Sequence, residues 1–144
     1  MKRMFIDANI LLDALLNRVP HDPTGAQALL EAGQLRKVAL LTSPLAISVV
    51  LYHYQKKDAW KKGVGLARAR GVLADLLACL TVVPMDERHF ALSAASSFGD
   101  LEDGAQYFAV AATGPLDAVV SRDPDYDGHI GTKRISAAQA MRQI

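Results

Sequence analysis

Apolar positions along the chain fall in short blocks that switch between two rhythms. Arg3 to Ile6 is a brief apolar run that stops at an acid, Asp7, and reads as a strand. Asn9 to Asn17 has helical spacing, with Ile10, Leu11, Ala14 and Leu15 on one face. Pro20, Pro23 and Gly25 punctuate a turn, and Thr24 to Leu35 reads as a second helix capped by Asp22 or Thr24. Val38 to Thr42 is the next strand. Ser43-Pro44 opens a helix in a favoured way, Ser as cap and Pro in the first turn, and the pattern carries it to Lys57. Gly65 to Cys79 reads as helix, and Leu80 to Val83 as a strand closed by Pro84. Asp86 caps a helix that runs to Ser97, and Asp100 starts another that ends at Gly114-Pro115. Leu116 to Val120 is the last clear strand, and a short helix, Ala137 to Gln143, closes the chain.

Short strands rich in Val and Ile, apolar on both faces and alternating with helices, predict a mainly parallel sheet covered on both sides. The expected fold is a three-layer α/β/α domain. The 144 residues suit one domain, residues 1–144, and a hydrophobic fraction of 51% supplies its core. Lys and Arg number 16 and Asp and Glu 15, so bulk charge carries no function and only its distribution matters. No apolar run approaches the roughly 18–20 residues that span a bilayer. Asp7 interrupts the first apolar block too early for a secretion signal. The single cysteine, Cys79, excludes an intramolecular disulfide and lies in an apolar run, as a packed core thiol does. A cytoplasmic protein without a membrane partner is the default expectation.

Ligands of open parallel sheets bind at the carboxyl ends of the strands. Two strands finish in acids. The first ends Asp7-Ala8-Asn9, and the late one ends Ser121-Arg122-Asp123-Pro124-Asp125. A third acidic group, Asp100-Leu101-Glu102-Asp103, opens the helix before that late strand. Asp100 and Asp103 share a helical face, and Glu102 points elsewhere as a secondary candidate. Each group also has an ordinary explanation: Asp7 and Asp100 suit N-caps, and the acids around Pro124 suit a turn. A parallel sheet brings all three to one rim. Facing carboxylates are costly unless protonated or holding a cation, and oxygen-only ligands suit Mg²⁺ or Mn²⁺. Such an ion activates water and clamps a phosphate.

Phe5-Ile6-Asp7-Ala8-Asn9-Ile10-Leu11-Leu12-Asp13 resembles the opening strand and helix of the PIN-domain ribonucleases. Asp100-Leu101-Glu102-Asp103-Gly104-Ala105-Gln106 resembles the helix start of that family, and Val119-Val120-Ser121-Arg122-Asp123 its strand end. Small single-domain members are mostly VapC-like toxins of toxin–antitoxin pairs. The resemblance implies a metal-dependent endoribonuclease that is usually a homodimer, cuts RNA and is silenced by an antitoxin protein. It makes Asp7 the first metal ligand, Asp103 the central one with Asp100 close by, and Asp123 the last. Asn9 holds Asp7 or a water ligand in place, with Ser121 and Asp125 as supporting neighbours. The chain departs from the family in one respect. The helix after the second strand usually carries a Glu or Asn. Here Ser43 to Tyr52 contains no acid, and Ser48, with Val49 beside it, is the nearest polar side chain.

That departure keeps a second reading open: a weak or inactive PIN-like module that binds RNA or a protein partner. A phosphohydrolase with Asp7 as nucleophile would want an acid two residues on, where Asn9 stands. Charge is also segregated. Lys56, Lys57, Lys61, Lys62, Arg68 and Arg70 face one acid, Asp58, over that stretch, while Asp86 to Asp127 is strongly acidic. A basic arm beside an acidic pocket suits a phosphodiester, with Tyr54 and Trp60 placed to stack on bases. Arg122 either reaches a phosphate or pairs with an acid, pairing being slightly favoured. The four histidines, His21, His53, His89 and His129, show no ligand spacing.

Overall fold

The computed structural model describes residues 1–57, 62–128 and 131–144, and the side chains at 54–57 and 62–64 lie outside that description. Trp60, Lys61 and His129, and the side chains of Tyr54, Lys56, Lys57 and Lys62, therefore fall outside it.

The elements run β1 (Arg3–Ile6), α1 (Ala8–Leu16), α2 (Pro23–Gln34), β2 (Ala39–Thr42), α3 (Pro44–Lys57), α4 (Lys62–Cys79) and β3 (Thr81–Val82). They continue with α5 (Glu87–Ala94), α6 (Leu101–Ala111), β4 (Ala118–Val120), β5 (Arg134–Ile135) and α7 (Ala137–Met141). A 3-10 turn, Pro124–Tyr126, lies between β4 and β5. The strands form one parallel sheet in the order β3-β2-β1-β4-β5. In β1, Phe5 pairs with Leu41 of β2 on one side and Val119 of β4 on the other.

Side chains alternate across the sheet and so build two cores. Met4, Ile6, Leu40, Ala118 and Val120 pack on one face against apolar residues of α1, α2, α4 and α7. Phe5, Leu41 and Val119 pack on the other against Ala109 and Val110 of α6, with Phe98 and Tyr126. Burial on both faces is why the strands read as continuous apolar runs. This is the three-layer α/β/α fold that the pattern predicts. Cys79 is partly buried against the first core.

Element bounds shift by a few residues from the pattern, and one strand is added. Helix α4 starts at Lys62 rather than Gly65, and α5 stops at Ala94 rather than Ser97. Strand β5 has no counterpart in the sequence reading, because two residues on a sheet edge carry no detectable period. Chain order also reverses about β1. The path fills β2 and β3 on one side, then crosses to β4 and β5 on the other. The crevice at the carboxyl ends of β1 and β4 is thus the topological switch point, where such sheets bind ligands.

One turn carries strain. Arg36 sits at φ 56°, in the left-handed region, just after α2. Its N–H donates to Gly33 O and that of Lys37 to Ala32 O, both at 2.9 Å. This is a helix stop in which glycine is the usual residue. The conformation costs a non-glycine residue about 1–2 kcal/mol, offset in part by the lower chain entropy of Arg in the unfolded state. Arg36→Gly is expected to stabilise the protein by about 0.5–1 kcal/mol. A thermal melt should show a rise of about 2–3 °C, and an unchanged or lower midpoint would refute it.

Candidate metal centre

Three of the acids at the rim, Asp7, Asp100 and Asp123, are fixed first by a backbone duty. Asp7 continues the ladder of β1, its N–H donating to Val120 O at 3.1 Å, and then caps α1. Its Oδ1 accepts from the Ala8 N–H at 2.7 Å. Its Oδ2 accepts from the Ser121 hydroxyl at 2.7 Å and from Asn9 Nδ2 at 3.1 Å. Asp100 caps α6, with Oδ1 accepting the N–H groups of Glu102 and Asp103 at 3.0 and 3.1 Å. Asp123 caps the 3-10 turn through the Asp125 N–H at 2.9 Å. Capping does not exclude a further role for these residues, since a cap engages only some of the lone pairs of a carboxylate.

The remaining oxygens converge. Asp100, Asp103 and Asp125 each bring one within 4.8 Å of the other two. Asp103 is buried, and its Oδ2 has no hydrogen-bond partner. Burial pushes the Asp103 carboxyl up to about 8, with further repulsion from Asp7, Asp100 and Asp123. Asp7 is also pushed above the usual carboxylate range, by burial first and then by Asp123 and Asp100, against the lowering contacts of Ser121 and the Ala8 N–H. Asp100, Asp103 and Asp125 thus form a cluster of three carboxylates, with Asp7 and Asp123 close enough to act on it electrostatically. A buried, unpartnered carboxylate oxygen among them matches what a hard divalent cation requires: oxygen donors, excess negative charge and an open coordination position.

The sequence between residues 3 and 125 matches the family model described as PIN domain. That span covers most of the chain. The protein belongs to the PIN-domain family. No curated protein matches the sequence. PIN domains have a nuclease-type fold and are generally metal-dependent nucleases, and an acidic cluster able to hold a metal ion is present here.

A second layer holds the pocket of this PIN domain in shape. Ser121 Oγ, besides donating to Asp7, accepts from Asn9 Nδ2 at 3.2 Å and from the Asp123 N–H at 2.9 Å. One hydroxyl thus ties the ends of β1 and β4 together. The Arg122 N–H donates to Asn9 Oδ1 at 3.3 Å. Its guanidinium turns away from the neighbouring Asp123 and pairs with the buried Asp13 of α1, at 2.8 and 3.1 Å. Arg18 joins the same carboxylate at 3.0 Å and donates to Asn9 O at 3.1 Å. Arg134 completes the frame. It holds Asp127 through two contacts of 2.8 Å and donates to Ser121 O at 3.2 Å. Gly104 lets α5 approach α6 beside Asp103, because a side chain there would meet Ser93 Oγ and the Phe98 ring.

The other candidates divide. Glu102 is exposed on α6, as its place on the helix predicts. Ser48 and Val49 are exposed on α3. The buried hydroxyl at that corner belongs to Ser43, which donates to Gln106 Oε1 at 2.6 Å and caps the start of α3 through the Ala46 N–H. Arg68 and Arg70 are exposed on α4. Sequence reasoning did not single out Asp13, Ser43, Gln106, Tyr126 or Arg134. Asp13 is the sole acid of the first helix, Ser43 was read only as a cap, and Gln106 only as the end of a motif. Among the described residues, no helix is long and apolar enough to cross a membrane.

Proposed function

We propose that this PIN domain is an endoribonuclease that hydrolyses RNA phosphodiester bonds with Mg²⁺ or Mn²⁺ held by Asp7, Asp100, Asp103 and Asp123. The unpartnered oxygen of Asp103, clustered with Asp100 and Asp125 and within the electrostatic reach of Asp7 and Asp123, carries the reading. When bound, such an ion lowers the pKa of a water ligand and polarises the phosphate. Ser121 and Asn9 hold Asp7 in one orientation. Asp100 and Asp123 each give one oxygen to a cap, and Asp100 and Asp125 each bring an oxygen within 4.8 Å of Asp103. The basic stretch that includes Lys56, Lys57, Lys61, Lys62, Arg68 and Arg70 supplies phosphate contacts. RNA as substrate follows from the family. The same resemblance supports a cytoplasmic toxin that works as a homodimer and is silenced by a cognate antitoxin.

The test is cleavage of a panel of single-stranded RNAs with Mg²⁺, with Mn²⁺ and with EDTA, using Asp7→Asn protein as the contamination control. Asparagine keeps the cap on α1 while removing the charge. Cutting is expected with either metal and is lost in EDTA. Cutting that persists in EDTA or in Asp7→Asn protein would sink the reading. One observation favours a second reading: α3 presents Ser48 and Val49 where the family carries its further acid. Folded protein that cuts no RNA under any metal, yet retains it on a filter, would establish a binding module instead.

A further inference from the structure

Tyr126 is a residue the family resemblance did not single out. It lies in the 3-10 turn between Asp125 and Asp127, wholly buried. Its ring is wedged edge-on against Phe5, with centroids 5.8 Å apart, and against Phe98 at 6.0 Å. The ring thus occupies an apolar slot that a phenylalanine would fill equally well. The hydroxyl does not belong there by packing. It has no hydrogen-bond partner, and a desolvated hydroxyl without a partner costs stability that phenylalanine would not.

Among the described residues, two buried side-chain polar atoms lack a partner: Tyr126 Oη and Asp103 Oδ2. One is a donor without an acceptor, the other an acceptor without a donor. Helix α6 packs on the 3-10 turn, and Phe98 stands against both the Tyr126 ring and the backbone of Gly104, next to Asp103, which brings the two groups to one place. A phenol keeps its proton at neutral pH and can donate it in a hydrogen bond. We propose that the Tyr126 hydroxyl is a positioning group for Asp103, donating to its carboxylate and holding it in the orientation that a divalent cation requires. The inference rests on the metal reading above and extends it to a residue outside the acidic set.

The role is indirect, because the hydroxyl acts through Asp103. It parallels the outer hydrogen bonds that orient metal-binding side chains elsewhere, whose loss typically weakens affinity about 10–100-fold. The test compares wild type with Tyr126→Phe by calorimetric titration of Mn²⁺, alongside thermal melts without metal. Phenylalanine keeps the ring contacts, so the variant is expected to fold and to melt at the same temperature or higher. Its Mn²⁺ affinity is expected to fall about 10-fold. Unchanged affinity overturns the proposal. A lower melting temperature with affinity intact assigns the hydroxyl a structural role and overturns it equally. A wild type that binds no Mn²⁺ overturns the metal reading, and this inference with it, whereas metal bound equally by both proteins overturns this inference alone.

Discussion

Asp103→Asn is expected to lower RNA cleavage about 1000-fold while making the metal-free protein more stable. Removing a ligand from a cation that stabilises the transition state by several kcal/mol costs about three decades in rate. The stability effect has the opposite sign because the acid is buried against three others. Its carboxyl sits at about 8 in the folded protein against 3.8 ordinarily. The favourable contribution of the protonated form is complete below the ordinary value and is lost as pH rises through about 8. The metal-free wild type should therefore melt at progressively lower temperature from pH 4 to pH 8–9, and Asp103→Asn should flatten that slope. Saturating Mn²⁺ reverses the ranking. At 100 times the dissociation constant it adds about 2.7 kcal/mol to a protein that binds it and little to one that does not. Melts at several pH values, with and without Mn²⁺, check the stability claims, and a timed cleavage assay checks the rate. A variant that cuts at near wild-type speed, or melts lower than wild type without metal at pH 8, contradicts the assignment.

How much of this was legible beforehand depends on the distance over which each feature is encoded. Strand β1 ending in Asp7, the Ser43-Pro44 helix start and the caps at Asp86 and Asp100 are local patterns, and each lies where the sequence places it. The convergence of three acidic groups followed from one non-local assumption, a parallel sheet, and the sheet is parallel. What local pattern cannot show is which lone pairs remain free after folding. Asp125 looked like a lesser neighbour of Asp123, yet its oxygen meets those of Asp100 and Asp103, while Asp123 gives an oxygen to the turn. Tyr126 drew no reading, because nothing in Asp123-Pro124-Asp125-Tyr126 reveals that Phe5 and Phe98 close around it. Arg122 stands beside an acid in the chain and pairs with another 109 positions away. Asp13 is the one acid in the first helix, and its burial needed two arginines from separate segments.

Asp13→Ala is the stability counterpart, and it should destabilise the protein by about 3 kcal/mol. Asp13 and Asp103 are both buried aspartates, but their surroundings oppose each other. Asp103 faces like charges, whereas Asp13 accepts from Arg18 and Arg122 through three contacts of 2.8–3.1 Å. Breaking a buried ion pair by removing one partner costs about 3–5 kcal/mol. Here the two guanidinium side chains are 33% and 34% exposed, so they can turn toward water, which puts the cost at the lower end. That is a large share of the roughly 5–15 kcal/mol that holds a domain folded, and it corresponds to a drop of about 6–12 °C in melting temperature. A midpoint within about 2 °C of wild type would mean the arginines gain nothing from Asp13. A triple variant, Asp13→Leu with Arg18→Met and Arg122→Met, separates stability from orientation. Replacing a whole buried ionic group by apolar residues is often neutral or stabilising, so the melting temperature should recover. Mn²⁺ affinity should not. Arg18 holds the carbonyl of Asn9, whose amide in turn holds Asp7, and the triple variant removes the guanidinium that bears on it. Recovery of both would make the ion cluster a packing solution for α1. Recovery of stability alone would make it the strut that aims the first carboxylate of the site.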